Sequence, residues 1–263
     1  MGEGDKPAEA PADQKIDEIA TAILRGRGEG LPIRPQSDGN VRRNDFDPKF
    51  IEAMRRAARE RGEDPWLSEE ELDRTHAKMM SEHPKGEDLW FFGYGSLMWN
   101  PALNIADSKF ANVRGFHRAF CLSLRMGRGS PEFPGLMLAL MPGGACNGVA
   151  MCIAGTEVAT ETRILWTREM LSGAYRPVWL DTQIGDKRVK SLSFAANPKH
   201  NRYVGKSSFE ETAQLIAKAQ GVFGKNRDYL YSTVKALETH GVTSGPMHKL
   251  AKRVREIADE GET

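Results

Sequence analysis

No apolar run in this sequence approaches the roughly twenty residues that a membrane-spanning helix requires, and the N-terminus lacks the apolar core of a secretory signal. Charge of one sign is missing too: 37 lysines and arginines stand against 36 aspartates and glutamates, a net charge of +1 over 263 residues. That balance leaves no electrostatic footprint for nucleic acid or an anionic membrane surface, and neither partner is expected. Cysteine is scarce. Cys121, Cys146 and Cys152 lie in apolar stretches without a Cys-x-x-Cys pair, so buried free thiols and a reducing, cytoplasmic compartment are expected. The histidines, among them His117, His200 and His240, show no metal-ligand spacing, and no metal is expected.

Against this background stands the run Gly93-Tyr94-Gly95-Ser96-Leu97-Met98-Trp99, entered from the apolar stretch Leu89-Trp90-Phe91-Phe92. Glycines on both sides of Tyr94 open backbone conformations closed to other residues and allow close approach to the amides; Ser96 adds a hydroxyl. The familiar phosphate loops do not fit. A dinucleotide fingerprint needs a small residue where Met98 stands, and a P-loop needs Gly-Lys-Ser/Thr. A nucleophile elbow needs a second glycine two residues after the serine, where Met98 follows Leu97. Two readings stay open from these residues alone: a tight turn after a buried strand, or a loop that binds a ligand of another kind.

The first dozen residues have the composition of a loose tail. Ile16, Ile19, Ile23 and Leu24 recur at helical spacing, followed by a Gly/Pro/Asn-rich linker over 26–44. Asp47-Pro48 opens a second helix carrying Phe50, Ile51 and Met54. Ser68 with Glu71 forms a capping box for a third, reaching about Ser81. The cluster Arg55, Arg56, Arg59 and Arg61 reads as a solvated face because glutamates interleave with it. From Leu89 the pattern changes to short apolar runs at 89–92, 119–124, 136–141, 148–153, 178–180 and 189–195. Turn signals separate them at Gly127-Arg128-Gly129, Pro142-Gly143-Gly144 and Gly185-Asp186, and one helix intervenes over about 160–172. The expected class is α+β, a small mixed β-barrel or strongly curved sheet with flanking helices rather than a doubly wound fold. Three helices close the chain: one with a Ser208/Glu211 capping box, one capped by Asn226 and ending at Gly241, and one opened by Pro246. Their stripes Leu215/Ile216/Ala219, Leu230/Val234/Leu237 and Leu250/Val254/Ile257 should face the body. Boundaries are expected at 1–86 for an N-terminal tail and helical extension, 87–241 for the main domain and 242–263 for a packed C-terminal helix.

On the wheel of the 160–172 helix, Glu169 projects between Leu165 and Trp166, on an apolar flank, while Arg168 points away from it. A carboxylate so placed is either paired with an arginine from elsewhere in the fold or held with a raised pKa, as a general acid or base requires.

A resemblance bears on that choice. Trp90-Phe91-Phe92-Gly93-Tyr94-Gly95-Ser96-Leu97-Met98-Trp99-Asn100-Pro101, Gly115-Phe116-His117-Arg118-Ala119-Phe120-Cys121, Pro134-Gly135-Leu136-Met137-Leu138-Ala139-Leu140, Leu165-Trp166-Thr167-Arg168-Glu169-Met170 and Gly173-Ala174-Tyr175 follow one another in order. Asn197-Pro198 with Tyr203 and Gly224-Lys225-Asn226 before Tyr229-Leu230 come next. Together they resemble the ChaC family of gamma-glutamylcyclotransferases over about residues 90–239. The resemblance implies a compact gamma-glutamylcyclotransferase-like barrel and an enzyme that cleaves glutathione to 5-oxoproline and cysteinylglycine without a cofactor. It also implies Glu169 as the catalytic carboxylate and Tyr94, Gly95, Ser96 and Leu97 as the loop that binds the gamma-glutamyl group; Gly93 and Met98, which flank that loop, are further candidates for substrate binding. Tyr203 is a further candidate for substrate binding, through its hydroxyl. Arg125 is a conceivable counter-charge that the residues do not single out. Alternatives are a cyclotransferase for another gamma-glutamyl peptide or amine, and a non-catalytic binding module. A monomer is expected, for want of a long apolar surface helix.

Overall fold

The structure, a computed structural model, describes residues 41–43, 48, 51–52, 55–56, 59, 66–125, 127–221, 223–243 and 245–261. The expected tail, the Ile16 helix and all of the linker before residue 41 lie outside the described residues, as do Asp47, Phe50, Met54 and Arg61.

Helix α1 (Glu69–Met80) starts at the expected capping box: Ser68 Oγ accepts from Glu71 N, and the Glu71 side chain accepts from Ser68 N. Five strands follow that close into a mixed barrel in the order β1-β3-β2-β4-β5: β1 (Leu89–Gly93), β2 (Asp107–Leu124), β3 (Gly135–Ile153), β4 (Tyr175–Ile184) and β5 (Lys187–Ala196). Parallel pairing of β1 and β3 with β5 closes the ring. Between β3 and β4 runs helix α2 (Val158–Met170). After β5 come α3 (Phe209–Lys218), the short pair β6 (Gln220–Gly221) and β7 (Gly224–Lys225), then α4 (Asn226–Thr239) and α5 (Pro246–Glu260).

Three expectations need correction. Pro142-Gly143-Gly144 does not end a strand. Gly143 and Gly144 take positive φ within β3 and Gly115 does so within β2, so the ribbon bulges there and pairing resumes on both sides, Arg114 with Ala145 and Phe116 with Pro142. The two runs read as separate strands are therefore one. β2 begins at Asp107, far upstream of the apolar run at 119–124, and its first half is largely exposed and carries little apolar signal. Finally, Asn226 does not cap α4. It is the first helical residue, fully buried, and its amide pairs with the backbone of Leu136, Oδ1 accepting from N at 2.8 Å and Nδ2 donating to O at 2.9 Å.

Two cores flank the sheet. Leu250, Val254 and Ile257 of α5, Leu230 and Val234 of α4 and Ile216 of α3 are buried with Phe92, Leu138 and Leu140 of the barrel, as the helical stripes require. On the other side Leu165, Trp166 and Met170 of α2 pack with Phe91, Leu97, Met151 and Phe194, and Leu72 of α1 and Ile51 of the extension complete that cluster. Pro48, Ile51, Glu52, Arg55, Arg56 and Arg59 are helical, in keeping with the expected second helix, and Arg59 pairs with Glu52 at 2.9 Å on its exposed face. The extension therefore forms part of the wall behind α2. Among the described residues no helix is long and apolar enough to cross a membrane.

Candidate active site

Strand β1 delivers its end into the Tyr94–Trp99 turn. Tyr94 is buried and donates to Phe194 O of β5 at 2.6 Å, which ties the first residue of the turn to the strand that closes the barrel. Ser96 to Met98 form a single 3₁₀ turn, with Met98 N donating to Gly95 O at 2.9 Å and Asn100 N to Ser96 O at 2.7 Å. Gly95 is required here: a Cβ on it would lie 2.6 Å from the hydroxyl of Tyr229 on α4, closer than real contacts allow. Leu97 is buried and Met98 half-buried against the α2 core, so they anchor the turn from beneath.

Glu169 comes from the last turn of α2. Its neighbours Leu165, Trp166 and Met170 are buried, and its own side chain is 13% exposed. Burial is the largest influence on the carboxyl and raises its pKa above the ordinary carboxylate value, while Arg168 pulls the other way. The helical wheel misplaced that arginine. Arg168 Nε lies 3.0 Å from Glu169 Oε1: the wheel records where the side chain leaves the backbone, and the head of an arginine lies several bonds further on. The partner of Glu169 is thus its sequence neighbour rather than an arginine from elsewhere in the fold.

Three phenols lie within electrostatic reach of this carboxylate: Tyr94 at the end of β1 and Tyr229 in α4, both buried, and the half-buried Tyr175 at the start of β4. For each, burial is the main cause of a raised pKa and the charge of Glu169 adds to it, so all three stay protonated at neutral pH. Tyr94 donates to Phe194 O and Tyr175 donates to Leu138 O at 2.9 Å. With their protons committed to backbone carbonyls, these two hydroxyls can meet a ligand only as acceptors, which suits an ammonium or amide N–H. The backbone of Leu138 and Ser96 works against that rise at Tyr229, and Trp99 and Phe120 pack edge-on against its ring. The structure thus brings Tyr94, Gly95, Ser96 and Glu169 into one neighbourhood. It adds Tyr175 and Tyr229, which sequence reasoning quoted only as part of the family pattern; a tyrosine in an apolar run carries no sign of where its hydroxyl goes.

Tyr203 sits further along. Its backbone bridges Leu122, its N–H donates to His200 O at 2.9 Å, and its ring packs on the small cluster of Cys121, Ala139, Ala174 and Ala196, which Tyr175 also touches. The three cysteines are free and buried, and burial pushes the Cys121 thiol up to about 11, so it is unreactive at neutral pH.

Barrel and flanking helices define the class of fold. A crystal structure of a glutathione-specific gamma-glutamyl cyclotransferase from yeast superposes with a TM-score of 0.60 over 65% of this chain and 96% of that one, at 20% identity. At that identity the likeness establishes the fold. Sequence carries the assignment further: the family model for ChaC-like proteins matches residues 89–257, and the chain belongs to the ChaC family. Among its relatives, the glutathione-specific gamma-glutamylcyclotransferase of Escherichia coli K12 is 38% identical over 196 residues, 74% of this chain and 84% of that protein. Human glutathione-specific gamma-glutamylcyclotransferase 1 is 31% identical over 168 residues, 62% of this chain and 76% of that protein.

Proposed function

We propose that this protein is a glutathione-specific gamma-glutamylcyclotransferase in which Glu169 is the general acid and base. The observation that carries this reading is a buried carboxylate with a raised pKa beside the Tyr94-Gly95-Ser96-Leu97 turn, in a chain that shares 38% identity with a relative of that activity.

The reaction joins two parts of one molecule. The α-amine of the gamma-glutamyl group enters as an ammonium with a pKa of roughly 8. Glu169 takes a proton from it, and the freed nitrogen attacks the gamma-carbonyl carbon. The C–N bond to the cysteinyl residue then breaks as Glu169 returns the proton to the departing nitrogen; the ring nitrogen gives its second proton back to the carboxylate, which passes it to the released amine, so the products are 5-oxoproline and cysteinylglycine with its amine as an ammonium. Burial of Glu169 brings its pKa closer to that of the amine it serves, which lowers the cost of the first transfer. The acceptor hydroxyls of Tyr94 and Tyr175 hold the ammonium and orient it. Amides of Tyr94 to Leu97 and the Ser96 hydroxyl hold the gamma-glutamyl group bent and stabilise the developing oxyanion. Tyr203 contributes to the substrate's outer contacts. Because nucleophile and electrophile belong to one substrate, positioning supplies much of the acceleration and no cofactor enters.

The same reading makes residues 87–241 the catalytic domain, 242–263 a helix packed on it, and 1–86 an extension. It places the protein in the cytoplasm as a monomer acting on a small molecule. An Arabidopsis thaliana relative, 32% identical over 183 residues, is named gamma-glutamylcyclotransferase 2-3 without reference to glutathione, so substrate preference is the point to test. Purified protein is offered glutathione, gamma-glutamyl-alanine and a gamma-glutamylamine in parallel. Preferred turnover of glutathione supports the reading, and negligible turnover beside a good rival substrate sinks the glutathione assignment.

A further inference from the structure

Arg168 touches both halves of the site. Its side chain is 8% exposed, and its hydrogen bonds fall on parts of the site. Nη1 donates to the carbonyls of Asn100 at 2.6 Å and Pro101 at 2.9 Å, Nη2 donates to Ser96 Oγ at 3.1 Å, and Nε faces Glu169 Oε1 at 3.0 Å. We propose that Arg168 is the positioning residue of this site: one buried fork fastens the Tyr94–Trp99 turn, the backbone that follows it and the Glu169 carboxylate into a single rigid unit. This rests on the reading of Glu169 given above.

The chemistry favours arginine over any other residue. A planar guanidinium presents donors in two directions from fixed positions, so it can hold carbonyls on one side and a carboxylate on the other. A lysine carries its charge at one point and cannot span four acceptors. The turn needs such a brace, since its own backbone bonds run only from Met98, Trp99 and Asn100 back to Gly95 and Ser96. Because Ser96 Oγ accepts from Arg168, its own proton remains free to donate to a ligand. Displacing a catalytic group by about 1 Å can cost on the order of a hundredfold in rate, so an alignment device of this kind should be visible in kcat.

The guanidinium also sets the charge state of Glu169. Titratable and charged groups facing that carboxylate are Arg168 on its own helix, Tyr94 from the end of β1, Tyr175 from β4 and Tyr229 from α4. Behind them, Arg118 acts on Tyr229, Arg202 and Cys121 act on Tyr175, and Cys146 acts on Tyr94. Arg168 is the cation with a direct bond to Glu169, and removing it leaves burial unopposed, which moves the carboxyl further up.

The experiment compares wild type with Arg168→Gln and Arg168→Lys, by hydrogen exchange at the amides of Met98, Trp99 and Asn100 and by an NMR titration of the Glu169 side-chain carboxyl. Arg168→Gln should speed exchange at these amides at least tenfold while strand amides of β2 and β3 stay unchanged, and should shift the Glu169 titration to higher pH. Arg168→Lys keeps the charge and should hold the titration nearer wild type, yet leave exchange fast. With glutathione as substrate, kcat of Arg168→Gln should fall at least tenfold, more than KM rises. Wild-type exchange in both variants overturns the brace, and an unmoved titration in Arg168→Gln overturns the hold on Glu169. If Arg168→Gln does not fold, Arg168→Lys decides the brace alone by its exchange. Exchange and titration need no turnover, so a wild type inactive on glutathione refutes the proposed function and leaves this test intact.

Discussion

Arg43→Ala should weaken the fold from a position far from the chemistry. Arg43 Nη1 and Nη2 reach both oxygens of Glu161, at 2.5 Å and 2.6 Å, across 118 positions of sequence. Glu161 lies on α2, the helix that carries Glu169, and only 1% of its side chain is exposed. Its remaining contact is Asn104 N, which donates at 3.0 Å from the segment downstream of the Tyr94–Trp99 turn. Removing one partner of a fully buried pair costs about 3–5 kcal/mol, because the other charge stays behind without compensation. Arg43 is 35% exposed, so solvent already screens part of the pair, and about 2 kcal/mol is the better figure. For a domain of this size that corresponds to a fall in Tm of roughly 4–8 °C. The loss should depend on pH. Burial alone would raise the Glu161 pKa, but the hydrogen bonds from Arg43 and Asn104 outweigh it and hold the carboxyl below 4.5. A depressed carboxylate contributes stability that is present above its unfolded pKa and lost as pH falls through its folded one. The penalty of Arg43→Ala should therefore be full at pH 7 and shrink below about pH 4.5. Urea unfolding of wild type, Arg43→Ala, Glu161→Gln and the double variant, at both ends of that window, gives the coupling directly. Coupling under about 0.5 kcal/mol at pH 7, the range of an exposed pair, or a penalty independent of pH would refute the account of this contact.

Other substitutions probe the rest of the site. Glu169→Gln should raise stability at neutral pH. Its folded pKa lies above the unfolded one, so the wild-type carboxyl favours folding below the unfolded pKa and loses that advantage as pH rises through the folded value. Thermal melts should show the variant gaining on wild type across that window, and a variant less stable than wild type at pH 7 would contradict the strained carboxylate. Gly95→Ala places a Cβ 2.6 Å from the Tyr229 hydroxyl and should cut kcat/KM at least tenfold while leaving the circular dichroism of the barrel intact; full activity would remove the tight approach of turn and helix. Asn226→Ala leaves both Leu136 backbone groups buried without their partner and should cost about 2–6 kcal/mol in urea unfolding, at roughly 1–3 kcal/mol per orphaned group. A cost below 1 kcal/mol would contradict the bridge from Asn226 to the Leu136 backbone.

Local rules made part of this molecule legible. Both capping boxes, the proline that opens α5 and the three helical stripes are short-range patterns, and the structure keeps them. Glu169 was visible because a carboxylate on an apolar flank breaks the helical pattern. Arg168 was misjudged because a wheel records where a side chain leaves the backbone, and an arginine's head lies several bonds beyond that point. The first half of β2 was missed because a strand exposed over much of its length has no apolar run to announce it. Asn226 and the Arg43–Glu161 pair were hidden for a common reason: each partner lies about a hundred residues away, and no spacing rule connects them. The fold and the loop are therefore written in nearest neighbours, whereas the fastenings that hold the loop to the carboxylate are tertiary.

The most direct test of the central claim is release of 5-oxoproline from glutathione by wild type beside Glu169→Gln, which keeps the shape of the side chain and removes the base. The account predicts release by wild type and a loss of about 10²–10⁴-fold in the variant, the range for a general acid and base. Equal release by both proteins would contradict the role of Glu169, and no release by either would contradict glutathione as the substrate.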